Sequence, residues 1–208
     1  MTAALAHEIQ NPVAAIKMHA QLAAAQGGGM GSAEIIAGEA ARIESLVNQW
    51  MFLSKPEPPS VAEIQVAVLL REALAVHSAQ MEHAAVRFEL NAGEELKVQG
   101  DRRRLMQVFS NIIVNAIQAM ARGGVLSVKA VREEGAVKLE FCDAGPGFSA
   151  EALRRFSEMF YSGKEGGMGI GLSVADEIIK AHHGKLRVQN QTEGGACVII
   201  TLPALSAL

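Results

Sequence analysis

Asp101 to Ala121 reads DRRRLMQVFSNIIVNAIQAMA. Leu105, Val108, Phe109, Ile112, Ala116, Ala119 and Met120 recur at three- and four-residue steps, so the segment predicts a helix with one buried stripe. Gln107, Asn111, Asn115 and Gln118 form a row on another face, at steps of four, four and three. Asparagine is a mediocre helix former, and two of them one turn apart in an otherwise strong helix suggest carbonyl oxygens for a hard cation that also touches phosphates. Solvated surface amides are the alternative.

Outward from this helix, Val125–Val131 and Ala136–Cys142 alternate like antiparallel strands across a turn at Glu134 and Gly135. Short strands are expected near Val86–Leu90 and Leu96–Gln99, a helix from about Val68 to His83, a helix from about Gly169 to His182, and closing strands Lys185–Gln189 and Ala196–Leu202. Helices and mostly antiparallel strands then mix in an α+β layer arrangement. The proline-rich stretch Ser54–Ser60, SKPEPPS, cannot stay helical and predicts a boundary between units at 1–56 and 61–208.

Ahead of that boundary the periodicity is helical throughout. Leu5, Ile9, Val13, Ile16, Ala20 and Ala23 form one apolar face of a helix from Met1 to about Gln26. The glycine-rich run Gly27–Ser32 breaks it, and Ser32 offers a cap to a second helix from Ala33 to about Leu53, with Ile36, Ala40, Ile43, Val47, Trp50 and Leu53 on one face. Such a hairpin buries only one side of each helix, so completing its core calls for a homodimeric four-helix bundle.

Three further segments carry chemistry. In AHEIQNP, Ala6–Pro12, His7 points away from the apolar seam, with Glu8 and Asn11 within reach. The zinc-protease pattern HExxH fails because position 11 is asparagine. Pro12, inside the helix, costs about 3 kcal/mol, and a kink beside this trio points to local function. DAGPG, Asp143–Gly147, follows a strand, where a carboxylate can accept from an exocyclic amine and glycine lets a flat ring approach; a plain turn is the alternative. GGMGIGLS, Gly166–Ser173, opens a helix and bares backbone N–H groups to an anion, with neither Walker nor dinucleotide spacing. Phe156, Phe160, Tyr161 and Lys164 lie between them and suit a mobile lid whose lysine meets phosphates.

Composition narrows the classes. The 208 residues carry a net charge of −3, without the basic excess of a nucleic-acid binder. No run is long and apolar enough for a membrane span, and the N-terminus lacks the order of a signal peptide. Cys142 and Cys197 sit in apolar runs without metal-ligand spacing, and read as buried reduced thiols of a cytosolic protein.

Taken in this order, the motifs resemble the sensor histidine kinases of two-component signalling. AHEIQNP is similar to their phosphoacceptor box, FSNIIVNAIQAM (Phe109–Met120) to the N box, DAGPGF to the first glycine box, RFSEMFYSGK (Arg155–Lys164) to the F box and GGMGIGLS to the second glycine box. The forms HEIQNP and NAIQAM resemble the nitrogen-regulator-like branch. The resemblance implies a dimerisation and histidine-phosphotransfer hairpin followed by a Bergerat-type α/β sandwich that binds ATP. It implies His7 as phosphoacceptor, Glu8 orienting or deprotonating it, and Asn11 placing a water for dephosphorylation of the partner. It further implies Asn115 with Asn111 on magnesium, Asp143 on adenine, and Gly145, Gly147, Gly167, Gly169, Gly171, Leu172, Tyr161 and Lys164 around the nucleotide. The partner implied is the receiver domain of a response regulator, and the location implied is cytoplasmic, with a longer, membrane-anchored parent left open.

Departures from the family pattern are Gln10 where arginine is common, Val13 where leucine is usual and Gln118 where many members have a basic residue. His182 and His183 stand at a helix C-terminus, where a charged imidazole is favoured; His19, His77 and His83 read as surface residues. A nucleotide-gated scaffold without phosphotransfer, or another ATPase of the Bergerat group, are the competing functions.

Overall fold

The computed structural model describes residues 13–23, 33, 35, 36, 39, 40, 43, 60–159, 161, 162 and 169–205. Two compact units divide at Pro58, Met1–Pro58 and Pro59–Leu208. In the first, residues 13–23 and the described residues between 33 and 43 are helical. Val13, Met18, Leu22 and Ile35 stay exposed there, Met18 by 52%. Among the described residues no helix is long and apolar enough to cross a membrane.

The second unit runs β1 (Val61–Gln65), α1 (Val66–Val76), α2 (Ser78–His83), β2 (Val86–Ala92), β3 (Lys97–Asp101), α3 (Arg102–Ala119), β4 (Gly124–Glu133), β5 (Ala136–Cys142), α4 (Ala150–Arg155), α5 (Gly171–Ala181), β6 (Lys185–Asn190) and β7 (Ala196–Pro203). Five strands form a mixed sheet in the order β2-β4-β5-β7-β6, in which β2 and β4 are parallel and the other pairs antiparallel. Glu134 and Gly135, at φ 48° and 79°, make the tight β4–β5 turn, whose right-handed twist requires positive φ at both central residues.

Alternation along the strands gives the sheet two different faces. Leu126, Val128 and Ala130 of β4, Val137, Leu139 and Phe141 of β5, and Val198, Ile200 and Leu202 of β7 are buried. Between them, Lys138 of β5 pairs with Glu140 at 2.9 Å on the polar face. Helices cover the apolar face. Phe109 of α3 meets Phe141 of β5 with ring centroids 5.6 Å apart, and α1 contributes Val66, Ala67, Leu69, Leu70, Ala73 and Leu74, one helical face, to the same core.

The structure differs from expectation at several points. The helix expected over Val68–His83 is two helices that meet at His77. Val61–Gln65 is a strand, stabilised by antiparallel pairing with β3, Val61 opposite Asp101; a partner so distant in sequence leaves no local signal. The buried stripe of α3 is wider than the sequence pattern, taking in Arg104, Ile113 and Ile117, because helix and sheet press on it together. Cys142 and Cys197 are not reduced thiols. They face each other across β5 and β7, Cα atoms 4.1 Å apart, and form a disulfide. Strand register, rather than sequence spacing, creates that bond.

His77 is half-buried rather than a plain surface residue, and its Nε2 is buried without a hydrogen-bond partner. Desolvation lowers its pKa below 6.5, only partly opposed by a hydrogen bond with Gln80. The folded protein therefore resists a proton that the unfolded chain accepts near pH 6.5, so stability present above that pH declines as pH falls towards the folded value. Urea unfolding should show a midpoint that drops between pH 7.5 and about pH 6, and His77→Gln should flatten that drop; an equal drop in the variant would remove His77 as its cause. The disulfide closes a separation of 55 residues, and reducing it should lower unfolding stability by about 2–4 kcal/mol, read as a lower urea midpoint for reduced than for oxidised protein.

Candidate functional site

The C-terminal half of α3, the turn after β5 and the start of α5 converge. Asn111 Nδ2 donates to the carbonyl of Gly171 at 3.1 Å, which fixes the amide row of α3 against the first residue of α5. Asn115 lies beside the same residue, its Nδ2 3.7 Å from where a Cβ on Gly171 would stand. With its nitrogen so engaged, Asn111 keeps its carbonyl oxygen as an acceptor, a hard donor atom of the kind magnesium takes together with phosphate oxygens and water. Both asparagines are half-buried, whereas Gln118 is exposed. Among the described residues no group of three or more His, Cys, Asp or Glu side chains could hold a metal.

Among the described residues, the start of α5 is an open donor site. Val174 N–H to the Ile170 carbonyl, at 2.9 Å, is the first helical hydrogen bond, so the N–H groups of Gly171, Leu172 and Ser173 precede it. No acidic side chain lies in the first turn and none caps it. Ser173 is buried and its hydroxyl donates back to the Ile170 carbonyl at 2.9 Å, leaving backbone donors to face outward. Three aligned N–H groups and the helix dipole attract an anion. Gly169, with φ 63°, turns the chain into this helix.

Asp143 is 8% exposed and locked in place. Its Oδ1 accepts from the N–H of Gly145 at 2.8 Å and of Ala196 at 3.3 Å. Its backbone N–H donates to the Ala196 carbonyl at 2.9 Å, and its carbonyl accepts from Gln191 Nε2 at 2.9 Å. Among the described residues the side-chain hydrogen bonds of Asp143 end on Oδ1, which leaves Oδ2 to accept from a ligand amine. Gly145 lies against Ala119, so the end of α3 and the Asp143 turn are in contact; a Cβ on Gly145 would stand 3.0 Å from that of Ala119. Gly147 turns the chain towards Phe148, whose N–H and carbonyl are both held by Asn190, at 2.7 and 2.8 Å.

The structure therefore brings together Asn111, Asn115, Asp143, Gly145, Gly147, Gly169, Gly171 and Leu172. Tyr161 stands apart from them in its contacts: the Arg155 guanidinium covers its ring at 4.3 Å, and Arg155 is itself bound by Glu151 and Glu158. His7, Glu8, Asn11, Lys164 and Gly167 lie outside the described residues. Sequence reasoning missed Asn190, Gln191 and Gly195, which hold the Asp143 turn from the β6–β7 connection. The polar, glycine-rich run NQTEGG was a signal for a turn but not for its distant partner.

Sequence reasoning put His182 at the C-terminus of α5, where it stands, but missed its burial and its partners. It is buried, accepts the Asp101 N–H on Nε2 at 2.9 Å and uses Nδ1 on the Ile178 carbonyl at 2.7 Å. That arrangement places the proton on Nδ1, not on both nitrogens as the helix-dipole reading expected.

Residues 100–206 match the family described as histidine kinase-, DNA gyrase B-, and HSP90-like ATPase, and residues 1–59 match the His kinase A (phospho-acceptor) domain. Sporulation kinase E of Bacillus subtilis is 33% identical over 98% of the chain and 28% of its own length. Sensor histidine kinase ZraS of Escherichia coli K12 is 31% identical over 98% of the chain and 45% of its own. The chain thus spans less than half of these curated relatives. Among solved structures, histidine kinase ThkA in complex with response regulator protein TrrA superposes with a TM-score of 0.80 at 26% identity, covering 99% of this chain and 61% of that one. The catalytic domain of ThkA alone gives 0.65 at 27% identity over 69% of this chain and 95% of that one.

The Asp143 turn tolerates no side chain at Gly195, where a Cβ would run into the Asp143 carbonyl at φ 96°. Gly194 has nearly the same φ, 97°, but open space around it. Gly195→Ala should therefore lower stability by about 1–3 kcal/mol more than Gly194→Ala, measured by thermal melting; equal losses would show that backbone strain alone is at work.

Proposed function

Because the chain belongs to the family of histidine kinase-, DNA gyrase B-, and HSP90-like ATPases and carries the phosphoacceptor domain of histidine kinases, we propose that it is an ATP-dependent protein-histidine kinase core. It autophosphorylates on His7 and passes the phosphoryl group to an aspartate on the receiver domain of a response regulator. The observation that carries this reading is the Asn111–Gly171 hydrogen bond, which unites the amide row and the open first turn of α5. Oxygen ligands and anion donors then face one place, beside the carboxylate of Asp143. We divide the chain into a phosphotransfer unit, 1–56, and a catalytic unit, 61–208.

In this mechanism Asp143 Oδ2 accepts from the adenine amine and Gly145 and Gly147 border the ring, while Tyr161, whose ring Arg155 covers, reaches the nucleotide only by leaving that contact. The N–H groups of Gly171 and Leu172 bind phosphate oxygens, with Gly167, Gly169 and Lys164 completing the cradle. Asn115 and Asn111 would hold magnesium, which neutralises charge on the phosphates. His7 attacks the γ-phosphorus with one ring nitrogen while Glu8 takes the proton from the imidazole. The N–P bond forms as the bond from γ-phosphorus to the bridging oxygen breaks, and ADP leaves. In the next step the receiver aspartate attacks the same phosphorus and His7 leaves. Asn11 positions a water for the reverse duty, phosphatase action on the regulator.

A homodimer is supported by the exposed Val13, Met18, Leu22 and Ile35 of the helical unit, apolar side chains that a second copy would cover. A response regulator as partner is supported by the likeness to ThkA, whose structure is a complex with TrrA. We place the chain in the cytoplasm, as part of a longer protein. The Cys142–Cys197 bridge is unusual for that compartment, where reductants keep thiols free.

Incubation with γ-labelled ATP and magnesium should give acid-labile, base-stable label that disappears in His7→Gln; undiminished label in that variant overturns the assignment. Asp143→Asn keeps an oxygen for the Gly145 N–H but presents an amide to the adenine amine, and should weaken nucleotide affinity about tenfold.

A further inference from the structure

At the end of α3 remote from Asn111, one buried residue joins three parts of the chain. Asp101 caps α3, its Oδ1 accepting from the Arg104 N–H at 3.1 Å. Its Oδ2 accepts from the Ser60 N–H at 2.9 Å, and Arg104 Nε lies 3.5 Å away. Its own N–H donates to Nε2 of His182, which follows α5. Asp101, Arg104 and His182 are all at least nine-tenths buried. Burial pushes the Asp101 carboxyl up, but the N–H groups of Arg104 and Ser60, the Arg104 guanidinium and the Arg103 N–H outweigh it and hold its pKa below the usual carboxylate range.

The two helices run in opposite directions, and they are tied at both ends. The start of α3 meets the residue after α5 through Asp101 and His182, while the middle of α3 meets the start of α5 through Asn111 and Gly171. Asp101 to Asn111 is ten residue steps and Gly171 to His182 eleven, which is about 15 Å and about 16.5 Å of helix. Two nearly equal rails with a hydrogen-bonded tie at each end form a frame. Axial sliding at the Asp101 end therefore displaces Gly171 against Asn111. The close fit at His182 leaves little slack: a Cβ on Gly100 would stand 2.8 Å from the imidazole Cδ2.

We infer that Asp101 and His182 are positioning residues that set the register of α3 against α5 and couple it to the chain entering the catalytic unit at Ser60. Neither residue touches the nucleotide site; both act through Asn111 and Gly171. Ser60 directly precedes β1, and β1 pairs with β3, which ends on Asp101, so a displacement of Ser60 reaches this node by both the strand and the Ser60 hydrogen bond. The inference deepens the proposed function, because it rests on Asn111 and Gly171 holding the nucleotide.

The test uses the 208-residue chain with three substitutions. His182→Phe keeps the bulk but removes the acceptor, His182→Gln restores an acceptor oxygen, and Ser60→Pro deletes the N–H bound by Asp101 at an exposed position. Hydrogen–deuterium exchange is read without nucleotide at the amides of Val174–Ile178 and Ile113–Ile117. Affinity is read with a trinitrophenyl ATP analogue and magnesium. His182→Phe should speed exchange and weaken affinity about tenfold, with His182→Gln back within about threefold of the parent and Ser60→Pro moving both in the same direction as His182→Phe.

Unchanged exchange at both segments in folded His182→Phe overturns the inference, as does His182→Gln behaving no better than His182→Phe. If His182→Phe does not fold, Ser60→Pro decides, with parental exchange counting against the coupling. A parent chain that fails to bind the analogue would overturn the nucleotide reading instead, and the exchange data would still judge the frame.

Discussion

Helix α3 is clamped between the apolar face of the sheet and helix α5, and the site exists only while that sandwich holds. Phe109 on Phe141 anchors one side of the helix to β5. Leu105, Val108, Ile112, Ile113, Ala116 and Ile117 extend the same contact over the helix's length. Because the buried stripe is fixed by packing, the helix cannot rotate, and the polar positions 111 and 115 are held towards α5. Without the apolar burial, the hydrogen bond from Asn111 to Gly171 would have no fixed geometry.

The remaining part of the site is built by strand register. β5 and β7 pair so that Cys142 lies opposite Cys197, which brings Asp143 next to Ala196. Three hydrogen bonds link Asp143 to Ala196 and Gln191, and a fourth links it to Gly145. A slip of one residue would reverse the faces of β7 and withdraw the Ala196 N–H from the carboxylate. The turn therefore owes its shape to a strand more than fifty residues later in the chain, as well as to the glycines inside it.

What could be read from the residues was the part set by local periodicity. The stripe of α3, the Glu134–Gly135 hairpin and the glycines ahead of α5 each carry their own signal within a few residues. Asp143, Asn111 and Asn115 were legible because their motifs are short and ordered along the chain. Unreadable were features made by distant partners: β1 as a strand, the Cys142–Cys197 bond, Asn190 on Phe148 and His182 on Asp101. Arg104 illustrates the same limit. Its run of three arginines carries no local signal for burial, yet it is buried beside the carboxylate of the Asp101 cap. The trio His7, Glu8 and Asn11 lies outside the described residues, so its role rests on the motif.

Ser173 turns its hydroxyl inward, and the first turn of α5 therefore offers only main-chain hydrogen to whatever anion it meets. Main-chain donors are common to every residue except proline. The side chain at Leu172 can drift through evolution without touching this part of recognition, whereas a compound that mimics the anion would be hard to escape by point mutation there. Escape would have to come from bending the helix axis or from introducing proline, and both would disturb the same packing that keeps the protein folded.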